Sequence, residues 1–200
     1  MPIRFSARNA LIVIDVQNGF KLEPYRDLKV FPDLNTVIGN IRATIEAFRT
    51  ASIPVIHVHH ASLEESSLNP VLSPEGYAVL PDAAPIGDEV VFVKHVNSGF
   101  IGTGLEAHLR AEQIETLVII GLTTSHCVST TTRMAGNLGW PVYVARDGTA
   151  MFERPAAPGT QKHFDAETMH EVALAELHDE FATVVTTAEI VAGVKDFAKV

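Results

Sequence analysis

Six short apolar runs rich in valine and isoleucine recur along this chain with helix-like patterns between them. That alternation restricts the fold more than any other feature. The runs cover 10–15 (Ala-Leu-Ile-Val-Ile-Asp), 54–59, 89–94, 116–121, 141–146 and 182–186. Each is nearly continuous in apolarity, as strands covered on both faces are. Between the first two, Val37, Ile41, Ile45 and Phe48 stand at helical spacing and predict a helix over 34–51. Shorter helices are predicted over 103–112, 125–139, 166–180 and 187–198. Strands alternating with helices call for a mainly parallel sheet with helices on both faces, an α/β class fold. The segment 61–88 carries four prolines and few periodic apolar residues, and it reads as a long irregular excursion. Connections of that length are often functional. The 200 residues fit one domain spanning 1–200.

Charge and cysteine content remove several function classes. Fifteen basic residues against 24 acidic ones give a net charge of −9, so there is no basic footprint for nucleic acid or an anionic membrane. The single cysteine excludes an intramolecular disulfide and fits a reducing compartment. The N-terminal apolar run, Ala10 to Ile14, is shorter than the roughly 7–15 residues of a signal-peptide core. No stretch approaches the ~20 apolar residues of a membrane span. A cytoplasmic protein is expected. The glycines at 99, 102 and 104 follow no dinucleotide-binding spacing, and no cofactor is assigned.

Three chemically capable residues close apolar strands. Asp15 ends Leu11-Ile-Val-Ile14, Lys94 ends Val90-Val-Phe-Val93, and Cys127 follows Leu117-Val-Ile-Ile120 after a short Thr/Ser turn. Open parallel sheets bind ligands outside the carboxyl ends of their strands, so this fold can gather all three. A thiol is mostly protonated at neutral pH, a nearby carboxylate can take its proton, and an ammonium stabilises the negative charge. Cys127 is also expected in the first turn of a helix, where the macrodipole favours thiolate. Backbone N–H groups of the 122–127 turn are positioned to bind an oxyanion.

In order and spacing, these motifs make the chain resemble the isochorismatase-like cysteine hydrolases, a family including nicotinamidases, N-carbamoylsarcosine amidases and isochorismatases. The resemblance runs over nearly the whole chain. Its marks are Leu11-Ile-Val-Ile-Asp15-Val-Gln17-Asn18-Gly-Phe20, Val93-Lys94 leading to Asn97-Ser-Gly-Phe100, Gly121-Leu-Thr-Thr-Ser-His-Cys127-Val, and Asp147-Gly148-Thr149-Ala150. It implies a three-layer α/β/α sandwich with a six-stranded sheet in the order 3-2-1-4-5-6. It implies an Asp15-Lys94-Cys127 triad, a cis Leu122–Thr123 peptide, and an oxyanion hole made by the N–H groups of Thr123 and Cys127. It places Phe20 and Phe100 against the substrate and implies a homo-oligomer, a dimer or tetramer. Gln17 and His126 join Phe20 and Phe100 as candidate substrate-binding residues.

The family's nicotinamidases carry an Asp-X-His metal motif after the second strand. This chain has His57-Val-His59-His60 there, without the aspartate. On a strand His57 and His59 share one face and His60 points away, so no metal is assigned. The reading is a cysteine-dependent hydrolase of a small amide-type substrate working through a thioester. Two alternatives stay open: non-covalent vinyl-ether hydrolysis of the isochorismatase type, and a non-enzymatic ligand-binding or assembly protein on the same fold. The partner is a small molecule, and the pocket walls are expected from 61–88 and 150–164. Arg154 and Lys162 read as solvent-facing charges, with recognition of a carboxylate as the alternative.

Overall fold

The computed structural model describes residues 3–63 and 74–199. Six parallel strands build the sheet: β1 (Asn9–Ile14), β2 (Val55–His60), β3 (Val91–Lys94), β4 (Thr116–Leu122), β5 (Val142–Phe152) and β6 (Thr183–Val185). They lie in the order β3-β2-β1-β4-β5-β6, the arrangement implied by the family resemblance. A two-residue strand, Val30–Phe31, adds an antiparallel partner to the far end of β5.

Alternate residues of the central strands feed two cores. Leu11 and Val13 of β1, with Val118 and Ile120 of β4, pack against α1 (Leu34–Thr50) through Ile41, Ile45 and Phe48. Ile12 and Ile14, with Ile119, face the opposite layer, where α2 (Leu105–Ala111) contributes Leu105 and Leu109. The period-2 pleat sends neighbouring residues of one apolar strand to opposite helix layers. Helix α1 starts where the Asp33 side chain accepts from Thr36 N–H at 3.0 Å, a side-chain N-cap. The last helix, α5 (Thr187–Phe197), opens with a capping box between Thr186 and Glu189. The segment between β4 and β5 holds α3 (Ser129–Asn137), and α4 (Ala166–Ala175) precedes β6.

Three expectations need adjustment. Strand β5 continues to Phe152 rather than ending at 146, because its register to β4 shifts between Ile119 and Gly121 and pairing resumes beyond the shift. Asp147 within it is satisfied by Thr187, which donates N–H at 2.7 Å and its hydroxyl at 2.8 Å. The helix expected over 125–139 begins as a π-type turn, Thr124–Val128, before α3. The helix expected over 166–180 stops at Ala175. Of the 61–88 excursion, residues 64–73 lie outside the described residues. The remainder holds a helical turn, Pro74–Tyr77, and a 3-10 turn, Pro81–Ala83, and is tied to the loop after β1 by Asn18 N–H to Ala78 O at 2.7 Å and Leu80 N–H to Val16 O at 3.0 Å. No helix among the described residues is long and apolar enough to cross a membrane.

Candidate active site

Four neighbouring strands deliver one residue each to a single point at their carboxyl ends. Lys94 closes β3, His60 closes β2 directly beside it in register, Asp15 follows β1, and Cys127 follows β4. The Lys94 ammonium joins them. It donates to Asp15 Oδ2 at 2.7 Å, to His60 Nδ1 at 2.9 Å and to Cys127 Sγ at 3.2 Å. Those three bonds use all three of its donors. Asp15, Lys94, His60 and Cys127 are all buried.

The local backbone explains how the residues reach this point. Asp15 adopts φ of +52°, a left-handed conformation that Asp tolerates better than most residues, and so turns the chain out of β1. Gly121 adopts φ of +127°, and a Cβ there would lie 2.0 Å from Ile14 O. Only glycine lets the end of β4 approach β1 this closely. The next peptide, Leu122–Thr123, is cis. The Thr123 carbonyl then accepts from His126 N–H at 3.2 Å and Val128 N–H at 3.3 Å, the wide turn that carries Cys127.

Beneath that turn lies a buried polar relay. His170 of α4 donates Nε2–H to Arg146 O at 3.0 Å, so its Nδ1 accepts from the Thr124 hydroxyl at 2.9 Å. The Thr149 hydroxyl lies 3.0 Å from that of Thr124.

The electrostatics overturn one expectation. Burial pushes the Cys127 thiol up and Asp15 pushes it further, while Lys94 only partly offsets them. These surroundings raise the Cys127 thiol, opposite to the lowering expected from its position after β4. Burial in an apolar layer disfavours the charged form of a thiol. One Asp15 oxygen, Oδ1, is buried without a hydrogen-bond partner. A carboxylate oxygen of Asp15, a His60 ring nitrogen and Cys127 Sγ lie within 4.8 Å of one another. This donor set is one a metal ion accepts, but the Lys94 ammonium already contacts all three residues. The cation of this site is covalently attached. His57 and His59 do not join it: His57 Nε2 donates to Glu89 Oε2 at 2.9 Å, and the two rings stand 6.1 Å apart on the face away from Lys94. Opposing the cost of burying Glu89, the two N–H groups of Arg49, the Ile86 N–H and His57 bring its carboxyl down to about 2.

A cavity of about 190 Å³ opens beside the nucleophile turn, with Tyr25, Thr123, His126, Phe152 and Arg154 among its walls. A larger hollow of about 610 Å³ lies at the opposite, amino ends of β2 and β3; neither hollow is lined by the four gathered residues, but the smaller one is walled by Thr123 and His126 of the turn that carries Cys127. The candidate binding residues divide. His126 and Thr123 line the cavity. Phe20 lies behind the wall, stacked on Phe152 with centroids 6.1 Å apart and edge-on to Tyr25 at 5.1 Å. Phe100 stacks on Trp140 at 5.9 Å in the same core as Cys127. The fully buried Gln17 amide donates to His60 O and Tyr77 O and accepts from His60 N–H, so it braces the end of β2. Arg154 lines the cavity rather than facing solvent, which corrects its reading from sequence. Sequence reasoning also missed Tyr25, and it read His60 only as a possible metal ligand. The register of β2 against β3 places His60 beside Lys94, and that pairing is invisible before the strand order is known.

Residues 9–189 match the isochorismatase domain family. The chain is 43% identical to the uncharacterised isochorismatase-family protein YrdC of Bacillus subtilis, over 96% of this chain and 97% of that one. The chain belongs to the isochorismatase family of hydrolases. It is 29% identical to streptothricin hydrolase of Streptomyces noursei, covering 90% of this chain and 63% of the relative. An isochorismatase-family protein from Chromobacterium violaceum superposes with a TM-score of 0.88 at 34% identity, covering 98% of each chain. N-carbamoylsarcosine amidase from Thermoplasma acidophilum superposes at 0.69 with 26% identity, covering 90% of this chain and 96% of that one.

Proposed function

We propose that this chain is a cysteine hydrolase that cleaves the C–N bond of a small amide-type substrate through a thioester. The observation that carries this reading is the Lys94 ammonium bonded to both Asp15 and Cys127 in a buried site. The names of two similar proteins, streptothricin hydrolase and N-carbamoylsarcosine amidase, support C–N bonds as the target.

In the first half-reaction the Cys127 S–H proton passes to Asp15 as sulfur attacks the carbonyl carbon. The backbone N–H groups of Thr123 and Cys127 hold the resulting oxyanion. Collapse expels the amine, which takes the proton from Asp15 and leaves a thioester on Cys127. Water then attacks the thioester carbonyl and gives its proton to Asp15. The acid departs, and the thiolate recovers that proton. Lys94 keeps its charge throughout and favours both the carboxylate and the developing thiolate. His60 accepts the third ammonium N–H and so orients the other two. The raised thiol suits this cycle, because the proton is transferred within the substrate complex rather than lost beforehand.

The test is ammonia or amine release from a panel of small amides and ureides by wild type, Cys127→Ala and Asp15→Asn. Cys127→Ala is expected to abolish turnover and Asp15→Asn to reduce it by orders of magnitude. Turnover that survives in Cys127→Ala refutes the covalent reading. The same proposal includes a homo-oligomer: Val91 and Val93 of the edge strand β3, with Val96 and Ile101 after it, are exposed apolar side chains of the kind subunit contacts cover.

A further inference from the structure

The polar relay beneath the nucleophile turn takes no part in the proton transfers, yet it lies wholly inside the protein. His170, Thr124 and Thr149 are each 0% exposed. Phe31 covers the His170 ring edge-on, with centroids 5.6 Å apart. Burying polar side chains this deeply is costly unless every one of them is hydrogen-bonded.

One acceptor sets the direction of every bond in the relay. Arg146 O can only accept, so the His170 proton sits on Nε2. Burial holds the ring below the usual imidazole range, which leaves Nδ1 as an acceptor. Nδ1 takes the single proton of the Thr124 hydroxyl at 2.9 Å. Thr124 then has only lone pairs to offer, so Thr149 donates across the 3.0 Å between the two hydroxyls. The relay thus starts and ends on β5. Arg146 falls within the register shift and has no partner on β4, which frees its carbonyl for His170, whereas Thr149 lies past the shift, opposite Gly121. A second tie runs alongside, with the Ser125 hydroxyl 3.1 Å from Met151 Sδ. Thr124 and Ser125 open the π-type turn that carries Cys127.

We propose that His170 is a positioning residue of the hydrolase, locking the nucleophile turn onto β5 through Thr124. Thr124 follows Thr123 directly and stands three residues before Cys127. A shift of its side chain therefore moves the sulfur and both proposed oxyanion donors together. Misplacing reacting atoms by about 1 Å costs roughly 10²-fold in rate. The catalytic consequence rests on the cysteine-hydrolase reading, whereas the mechanical link between His170 and the turn does not.

The test separates the hydrogen bond from the space these side chains fill. Thr124→Val keeps the shape without the hydroxyl, Thr124→Ser keeps the hydroxyl, and His170→Phe keeps a ring without its nitrogens. These variants, the Thr124→Val/His170→Phe double variant and wild type are labelled with carbon-13 at the cysteine Cβ, where one cysteine gives one resonance. Thr124→Val and His170→Phe are expected to move that resonance alike, the double variant no further than either, and Thr124→Ser to return it to the wild-type position. A resonance unmoved by His170→Phe, or shifts that add in the double variant, overturn the proposal. Should His170→Phe fail to fold, His170→Asn replaces it, because its Oδ1 accepts where Nδ1 did. Its resonance is then expected to stay near wild type, and one moved as far as in Thr124→Val overturns the proposal. Turnover is the second readout, on whichever small amide or ureide wild type hydrolyses fastest. In Thr124→Val and His170→Phe kcat is expected to fall roughly 10²-fold with KM unchanged, and Thr124→Ser to restore most of it. An unchanged kcat in Thr124→Val overturns the positioning role. A wild type that hydrolyses none of these compounds refutes the hydrolase reading instead, while the resonance still decides the link.

Discussion

Replacing Lys94 by methionine keeps most of the side-chain bulk and removes the ammonium that joins the site. What it strands is Asp15, whose side chain is 1% exposed and whose Oδ1 already lacks a partner. At 2.7 Å and an effective dielectric of ~20, the pair attracts by about 6 kcal/mol before desolvation is counted. Desolvation of both ions cancels much of that in the native protein, but it is not recovered when only one ion leaves. Breaking a buried pair from one side costs about 3–5 kcal/mol, a large share of a total stability of about 5–15 kcal/mol. Adding Asp15→Asn to Lys94→Met removes the stranded charge, so the double variant is expected to be more stable than Lys94→Met by at least ~2 kcal/mol. The assay is urea unfolding of wild type, both single variants and the double variant at one pH, read as a double-mutant cycle. If the two single effects add to within ~0.5 kcal/mol, the residues are energetically independent and the argument from their contact fails.

Other consequences follow from burial and backbone geometry. His57, His59, His60, His126 and His170 are all held below the ordinary imidazole range, chiefly by burial, and His59 is brought down to about 4. The unfolded chain binds these protons more tightly. The stability they contribute is complete above an unfolded value of ~6.5 and is lost as pH falls through the folded values, for His59 between about 6.5 and 4. The urea midpoint should drop from pH 7.5 to pH 5, and a flat midpoint contradicts this. Gly121→Ala must move Ile14 O or the end of β4, and it should cost above ~3 kcal/mol. Gly39→Ala, on α1 with open space around the new methyl, should gain ~0.5–1 kcal/mol; equal effects at the two glycines would sink the close-approach argument. Val93→Lys should dissociate the homo-oligomer, read by light scattering, whereas a wild-type monomer removes that proposal.

The strands were legible because a parallel strand covered on both faces must be apolar along its length, and few other segments are. That also made Asp15 and Lys94 conspicuous, since each interrupts an apolar run where the fold offers no solvent. Cys127 was legible by its uniqueness and by its place after β4. Where β5 ends was not legible, because its register shift and the Asp147–Thr187 contacts depend on α5 arriving from 40 residues away. His60 was legible as a histidine but not as a partner of Lys94. On its own strand it is the odd residue of three, and only the neighbouring strand gives it a role.

The protonation of the nucleophile shows why charge state is harder to read than residue identity. A cysteine after a strand, opening a helical stretch, carries a local argument for thiolate. That argument involves one turn of backbone. The opposing influence comes from apolar side chains contributed by distant parts of the chain, with Asp15 adding to it. The same surroundings strengthen every interaction that the Lys94 ammonium makes. In the proposed cycle the thiol keeps its proton until a carbonyl arrives beside it. In that cycle proton transfer to Asp15 takes place beside a cation already in place, without solvent having to reorganise. The expectation that the helix favours thiolate and the surroundings that raise the thiol thus concern the same residue. They differ in whether the ionisation precedes the substrate or accompanies it, and the proposed cycle takes the second order.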